Sequence, residues 1–182
     1  MTGQADQAVA RDIHGAGKAF TAGVEHRAVQ IIQIESMLDR GQTTEAARLL
    51  SGGLLDGSRA GLMLSARLAA LPQAEATQAG RVREDLQTWV SVRPGDAGAW
   101  QALARVSERL GQPLASLRAQ AEAQAALGDL AGAVDRLRAG QRLSRSSGAV
   151  ESMEGVVIES RLKALEQQRR AELERERRGE DD

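Results

Sequence analysis

The chain has 182 residues, of which 42% are hydrophobic, only 2% are aromatic and none is cysteine. That length suits one or two ordinary domains or a short helical solenoid, and an apolar content made mostly of Ala, Leu, Val and Ile favours thin, closely packed helices over sheets. With 24 basic against 25 acidic residues and a formal net charge of −1, no global field draws in nucleic acid or an anionic membrane, and the absence of cysteine excludes disulfides, thiolate nucleophiles and cysteine-ligated metals.

Residues 1–20, with Gly3, Gly15 and Gly17 and weak periodicity, read as a flexible lead-in or linker. From Thr21 onward Val24, Ala28, Ile31, Ile34, Met37 and Leu38 recur at three- and four-residue steps and stop at Gly41, which predicts a first helix. Thr44 is placed to cap a second, Glu45 to Leu50, ending at Gly52 and Gly53. A third runs from Ser58 to Leu71 and stops at Pro72; a fourth runs from Thr77 to Val92 and stops at Arg93, Pro94 and Gly95. Asp96 caps a fifth, Ala97 to Leu110, and Gly111, Gln112 and Pro113 turn the chain into a sixth that reaches Leu127. Gly128 and Asp129 turn it again, into a seventh ending near Leu143.

Ser144 to Gly148 reads as a polar break. The last helix starts near Val150 and carries Val150, Met153, Val157, Ile158, Leu162 and Leu165 at the spacing of a face that docks on the preceding helices. Its tail, 161–182, balances seven basic against seven acidic residues, with Glu166 and Arg170, and Glu174 and Arg178, four apart as in a solvated helix.

Short helices joined by turns of a few residues lie antiparallel to their neighbours. The expected fold is therefore all-α: tetratricopeptide-like hairpins stacked over 21–148 into a short superhelical solenoid, closed by a capping helix and charged tail over 149–182. Internal repetition supports this. Gly41 through Ala46 lies on Gly128 through Ala133, each a turn glycine followed five residues later by alanine, with Leu50 then on Leu137 and Gly53 on Gly140. Between them Trp100, Leu103, Ala104 and Gly111 follow the tetratricopeptide order of aromatic, leucine, small residue and turn glycine, with Ser116 and Ala123 at the later small positions.

No catalytic motif occurs. His14 and His26 are the only histidines, Glu25-His26 lacks the second histidine of H-E-x-x-H, and Gly15 to Lys18 has neither the spacing nor the preceding strand of a phosphate loop. No metal or cofactor is expected in this chain. Trp89 and Trp100 are candidate binding aromatics, but their helical spacing with Leu86 and Leu103 favours the core for both. Two polar stripes are candidates for a recognition groove: Gln101, Arg105 and Arg109 on the fifth helix, Arg118 and Glu122 on the sixth. If both face one concavity, a basic cluster results that suits a protein or peptide ligand, its carboxylates above all; ordinary solvated charge is the alternative.

Asp85 to Trp89 with Arg93 to Ala97 and Trp100, then Arg118 to Glu122 with Gly128 to Gln141 and Val156 to Leu162, resemble the C-terminal repeat region of bacterial zinc metalloproteases of peptidase family 48. That group includes β-barrel assembly-enhancing proteases, and the resemblance covers roughly residues 24 to 170. It implies a periplasmic protein–protein interaction module whose partners are its own protease domain or outer-membrane assembly proteins. Zinc would belong to that protease domain, whose H-E-x-x-H motif this chain lacks, so no catalytic residue carries over. The chain then reads as an excised region or a stand-alone relative, neither membrane-spanning nor directed to nucleic acid; a stand-alone tetratricopeptide scaffold or an oligomerising structural protein is the other reading.

Overall fold

The computed structural model describes residues 23–150 and 152–179, so the lead-in expected over 1–20 lies outside the described residues. Among the described residues there are eight helices and no strand. They are α1 (23–39), α2 (Thr43–Leu50), α3 (Arg59–Ala69), α4 (Ala76–Val92), α5 (Ala97–Arg109), α6 (Pro113–Ala126), α7 (Leu130–Ser146) and α8 (Met153–Gly179).

One turn chemistry recurs. Gly41, Gly111, Gly128 and Gly148 follow α1, α5, α6 and α7 with φ between +69 and +84, a conformation that L side chains resist. At each, the next residue's N–H reaches the carbonyl five positions back: Gln42 to Met37, Gln112 to Ser107, Asp129 to Gln124 and Ala149 to Ser144, at 2.8 to 3.0 Å. The glycine N–H meanwhile bonds the carbonyl three back. Two carbonyls that a helix end would leave unpaired are thus satisfied, and the chain is redirected at once. Asp96 and Asp129 then open α5 and α7, their carboxylates accepting from the N–H of Ala99 at 3.1 Å and of Gly132 at 2.8 Å.

Several helix ends differ from the sequence reading by one to three residues, and three of the differences have a local cause. α2 starts at Thr43 behind Gln42, which makes no side-chain cap bond, because the glycine turn already delivers the backbone in helical direction; Thr44 lies inside the helix. α7 runs on to Ser146, through part of the expected polar break, since the hydroxyls of Ser146 and Ser147 fold back onto the Leu143 carbonyl. α8 begins at Met153, where Ser152 accepts from the Gly155 N–H at 3.1 Å.

The turn between α4 and α5 is held by side chains. Trp100, which is buried, donates from Nε1 to the Pro94 carbonyl at 2.9 Å. Half-buried Trp89 donates to Asp96 at 3.0 Å, and the Arg93 guanidinium lies 4.0 Å from its ring centroid.

The chain divides into two compact units between Ser65 and Ala66, within α3. In the first, Ile34, Ala46, Leu55 and Leu64 are buried and the Gln30 amide donates to the Leu49 carbonyl at 3.0 Å, tying α1 to α2. In the second, each helix from α4 to α8 packs on the next, and α8 also reaches α6. The buried faces of α5 and α6 are rich in alanine (Ala99, Ala102, Ala104, Ala115, Ala119, Ala121), which lets the helix axes approach and accounts for the scarcity of aromatics. The apolar seam of α6, α7 and α8 comprises Ala121, Leu130, Ala133, Val134, Leu137, Ile158, Leu162 and Leu165.

A superhelical stack would also bring alternate helices together. Among the described residues of the second unit, α6 and α8 do so while α4 and α6, and α5 and α7, stay apart. The repeat alignment holds at its first half, where Ala46, Ser116 and Ala133 are all buried five residues after their glycine. Its second half fails: Gly53 sits in a turn at φ +80 beyond the eight-residue α2, whereas Gly140 is buried inside the seventeen-residue α7. A Cβ on Gly140 would lie 3.1 Å from Ile158 Cδ1, so α8 rests directly on α7 there. Gly140→Val should lower the unfolding free energy by about 1–3 kcal/mol through overpacking, while Gly95→Ala, where a Cβ meets nothing within 4 Å, should leave it nearly unchanged; urea titrations of the two variants check this.

Candidate partner-binding face

The five residues expected to line a groove separate into two groups. Gln101 and Arg105 stand one turn apart on the exposed side of α5, opposite the buried Ala102, Leu103 and Val106. Arg109 continues that stripe in sequence but not in orientation. Its guanidinium donates to the carbonyls of Leu71 at 3.0 Å, Pro72 at 2.6 Å and Ala74 at 3.0 Å. These carbonyls lie in the connection between the end of α3 at Ala69 and the start of α4 at Ala76, where that of Leu71 also accepts from the Ala74 N–H at 3.0 Å. Arg109 is therefore a clasp between α5 and the α3–α4 connection, correcting the expectation that it faces a ligand beside Arg105.

Arg118 and Glu122, one turn apart on α6, are both engaged by α8. Arg118 donates from Nε and Nη2 to the two carboxylate oxygens of Glu154, at 2.7 and 3.1 Å. In the reverse sense Arg161 donates to both oxygens of Glu122, each at 2.8 Å. Each contact is the two-pronged guanidinium–carboxylate geometry that fixes orientation as well as distance. The carboxylate expected at Arg118 is present, but it is the chain's own.

Sequence reasoning missed the α8 half of this arrangement, and the signal was there to find. Glu154 and Arg161 are seven apart and so share one edge of the helix. They run alongside Gly155, Ile158, Leu162 and Leu165, the stripe that α8 buries. On the other edge Glu166 accepts from Arg138 of α7 at 2.8 Å, rather than serving the expected pair with Arg170. Beside that contact Arg138, Gln141, Arg142, Glu159, Leu162, Lys163 and Glu166 line an open cleft of about 330 Å³ between α7 and α8.

Among the described residues there is no group of three or more His, Asp or Glu arranged to hold a metal ion, and no helix long and apolar enough to cross a membrane. His26 is exposed on α1, and His14 lies outside the described residues. No known protein family, curated protein or solved structure matches this chain.

Arg109→Ala should cost about 1–3 kcal/mol of stability because three carbonyls lose a charged donor at once. Arg105→Ala should change it by less than about 0.5 kcal/mol. Chemical denaturation of the single variants distinguishes the two roles.

Proposed function

We propose that this chain is a non-catalytic module that binds other proteins through its helix faces. The observation that carries this reading is the behaviour of α6: Arg118 and Glu122, one turn apart, hold a helix more than thirty residues away in the chain by paired charged contacts beside an apolar seam. A surface that selects a helix by charge and by apolar spacing has the two ingredients of protein recognition. Gln101 and Arg105 add a polar stripe on α5 that is exposed.

The finer reading is a tetratricopeptide-like array serving as the docking region of a periplasmic zinc metalloprotease, with its own protease domain or outer-membrane assembly proteins as partners. The recurrent glycine turns and the buried small residues at Ala46, Ser116 and Ala133 support the repeat assignment; the protease association and the compartment rest on the family resemblance. The second reading, an oligomerising structural protein, draws on the exposed Met153 and Val156 at the start of α8. It requires Met153→Glu to lower the solution mass.

The purified chain incubated with zinc and casein should show no cleavage; chelator-sensitive proteolysis would make it an enzyme and overturn the reading. In the cells that make it, a photoreactive residue replacing Gln101 should yield discrete protein adducts that Arg105→Glu diminishes without lowering the melting temperature. Adducts indifferent to Arg105, or none at all, would remove α5 from the binding surface.

A further inference from the structure

α8 reads as a ligand that happens to be tethered. Its buried stripe supplies one apolar or small residue per step at Gly155, Ile158, Leu162 and Leu165, and its charges stand on the flanks of that stripe, Glu154 and Arg161 toward α6 and Glu166 toward α7. The order of charges sets direction. Arg118 meets Glu154 and Glu122 meets Arg161, so the two helices run parallel; a reversed helix would set glutamate against glutamate and arginine against arginine.

The seating divides its work between an apolar seam and selective charges. Ile158, Leu162 and Leu165 are buried in the seam, the ion pairs are partly exposed and so individually weak, and in the connection to α7 Ser147, Gly148, Val150 and Ser152 are exposed while Ala149 is half-buried. Met153, Val156 and Val157 remain exposed on the side of α8 away from the seam.

We infer that the α6–α7 face is a helix-receiving groove which α8 occupies in cis, and that it accepts in trans an amphipathic helix of the same register. That helix lies parallel to α6 and carries a glutamate, an apolar stripe beginning with a small residue, and an arginine seven positions after the glutamate. This rests on the protein-binding reading above and names the ligand class and its competitor.

The test uses full-length chains and two labelled peptides, one with the native sequence of residues 152–170 and one bearing E154R and R161E. In a chain carrying E154R and R161E, α8 faces like charges and keeps only its apolar stripe in the seam, so a native peptide, which adds both charged pairs, competes with it. The native peptide should bind this chain at least tenfold tighter than it binds wild type, whose groove is filled. The reversed peptide should bind a chain carrying R118E and E122R and ignore the chain carrying E154R and R161E. Equal binding of both peptides to both variants, or no binding to folded chains, overturns the inference.

Two controls keep it decidable if the reversed chains fold poorly. All four reversals together should restore the cis pairs and the wild-type melting temperature; failure to do so would mean that charge does not set the register. In an otherwise native chain, which has no cysteine, the thiol introduced by Ile158→Cys should be alkylated several times faster when the native peptide is added and no faster with the reversed peptide. No acceleration by the native peptide again overturns it. Peptide failure with surviving adducts at position 101 would retire the groove and leave the protein-binding reading standing; loss of both would retire that reading too.

Discussion

The close approach of α7 and α8 governs where Glu154, Arg161 and Glu166 of α8 land. Gly140 offers no side chain beneath Ile158, and a Cβ on Gly155 would lie 2.8 Å from Ser144 Oγ and 2.5 Å from the Ala149 carbonyl oxygen. One glycine on each helix thus removes the atoms that would hold the axes apart. With Ile158 seated over Gly140, Glu154 comes to Arg118 and Arg161 to Glu122, while Glu166 comes to Arg138. Rotating α8 by a single residue, roughly 100°, would carry Ile158 and Leu165 out of the seam and these three ion pairs out of reach.

Magnitudes assign different work to the two kinds of contact. Leu137, Ile158 and Leu165 are essentially inaccessible to solvent, and burial of such a side chain stabilises by about 1.5–3 kcal/mol. The three charged pairs keep 14 to 47% of their side-chain surface exposed, so solvent screening holds each to about 0–1 kcal/mol. The seam holds α8 down. The charges choose its direction and exclude its alternatives, which the apolar stripe alone would admit.

Much of the helical order was legible from residues whose effect is local. A glycine needed at positive φ, an aspartate that can cap and a proline at a first helical position act within a few residues of themselves, and Gly111, Asp96, Asp129 and Pro113 accordingly mark helix boundaries where the sequence placed them. The groove was less legible because its chemistry is settled between distant segments. Nothing near Arg109 announces that the carbonyls of Leu71, Pro72 and Ala74 converge on it from the α3–α4 connection, and a helical wheel of α6 does not say which helix will lie across it. The repeat alignment misled at Gly53 for a related reason: identity of residue type at matching positions conceals that one glycine turns the chain and the other admits a neighbouring helix.

The fate of Arg118 and Glu122 also bears on the conformation α8 must hold to meet them. A groove lined by arginines alone would hold any acidic segment, extended or helical, because charge attraction falls off slowly and makes little demand on shape. Here an arginine and a glutamate alternate one turn apart and are answered by a glutamate and an arginine seven residues apart on a single helix. An extended strand rises about 3.3 Å per residue, so seven positions would span roughly 23 Å, far more than the about 6 Å between successive turns of α6. A helix compresses the same seven positions to about 10.5 Å, within reach of two long guanidinium arms. Seven positions apart, Glu154 and Arg161 can therefore meet Arg118 and Glu122 together only from a helix.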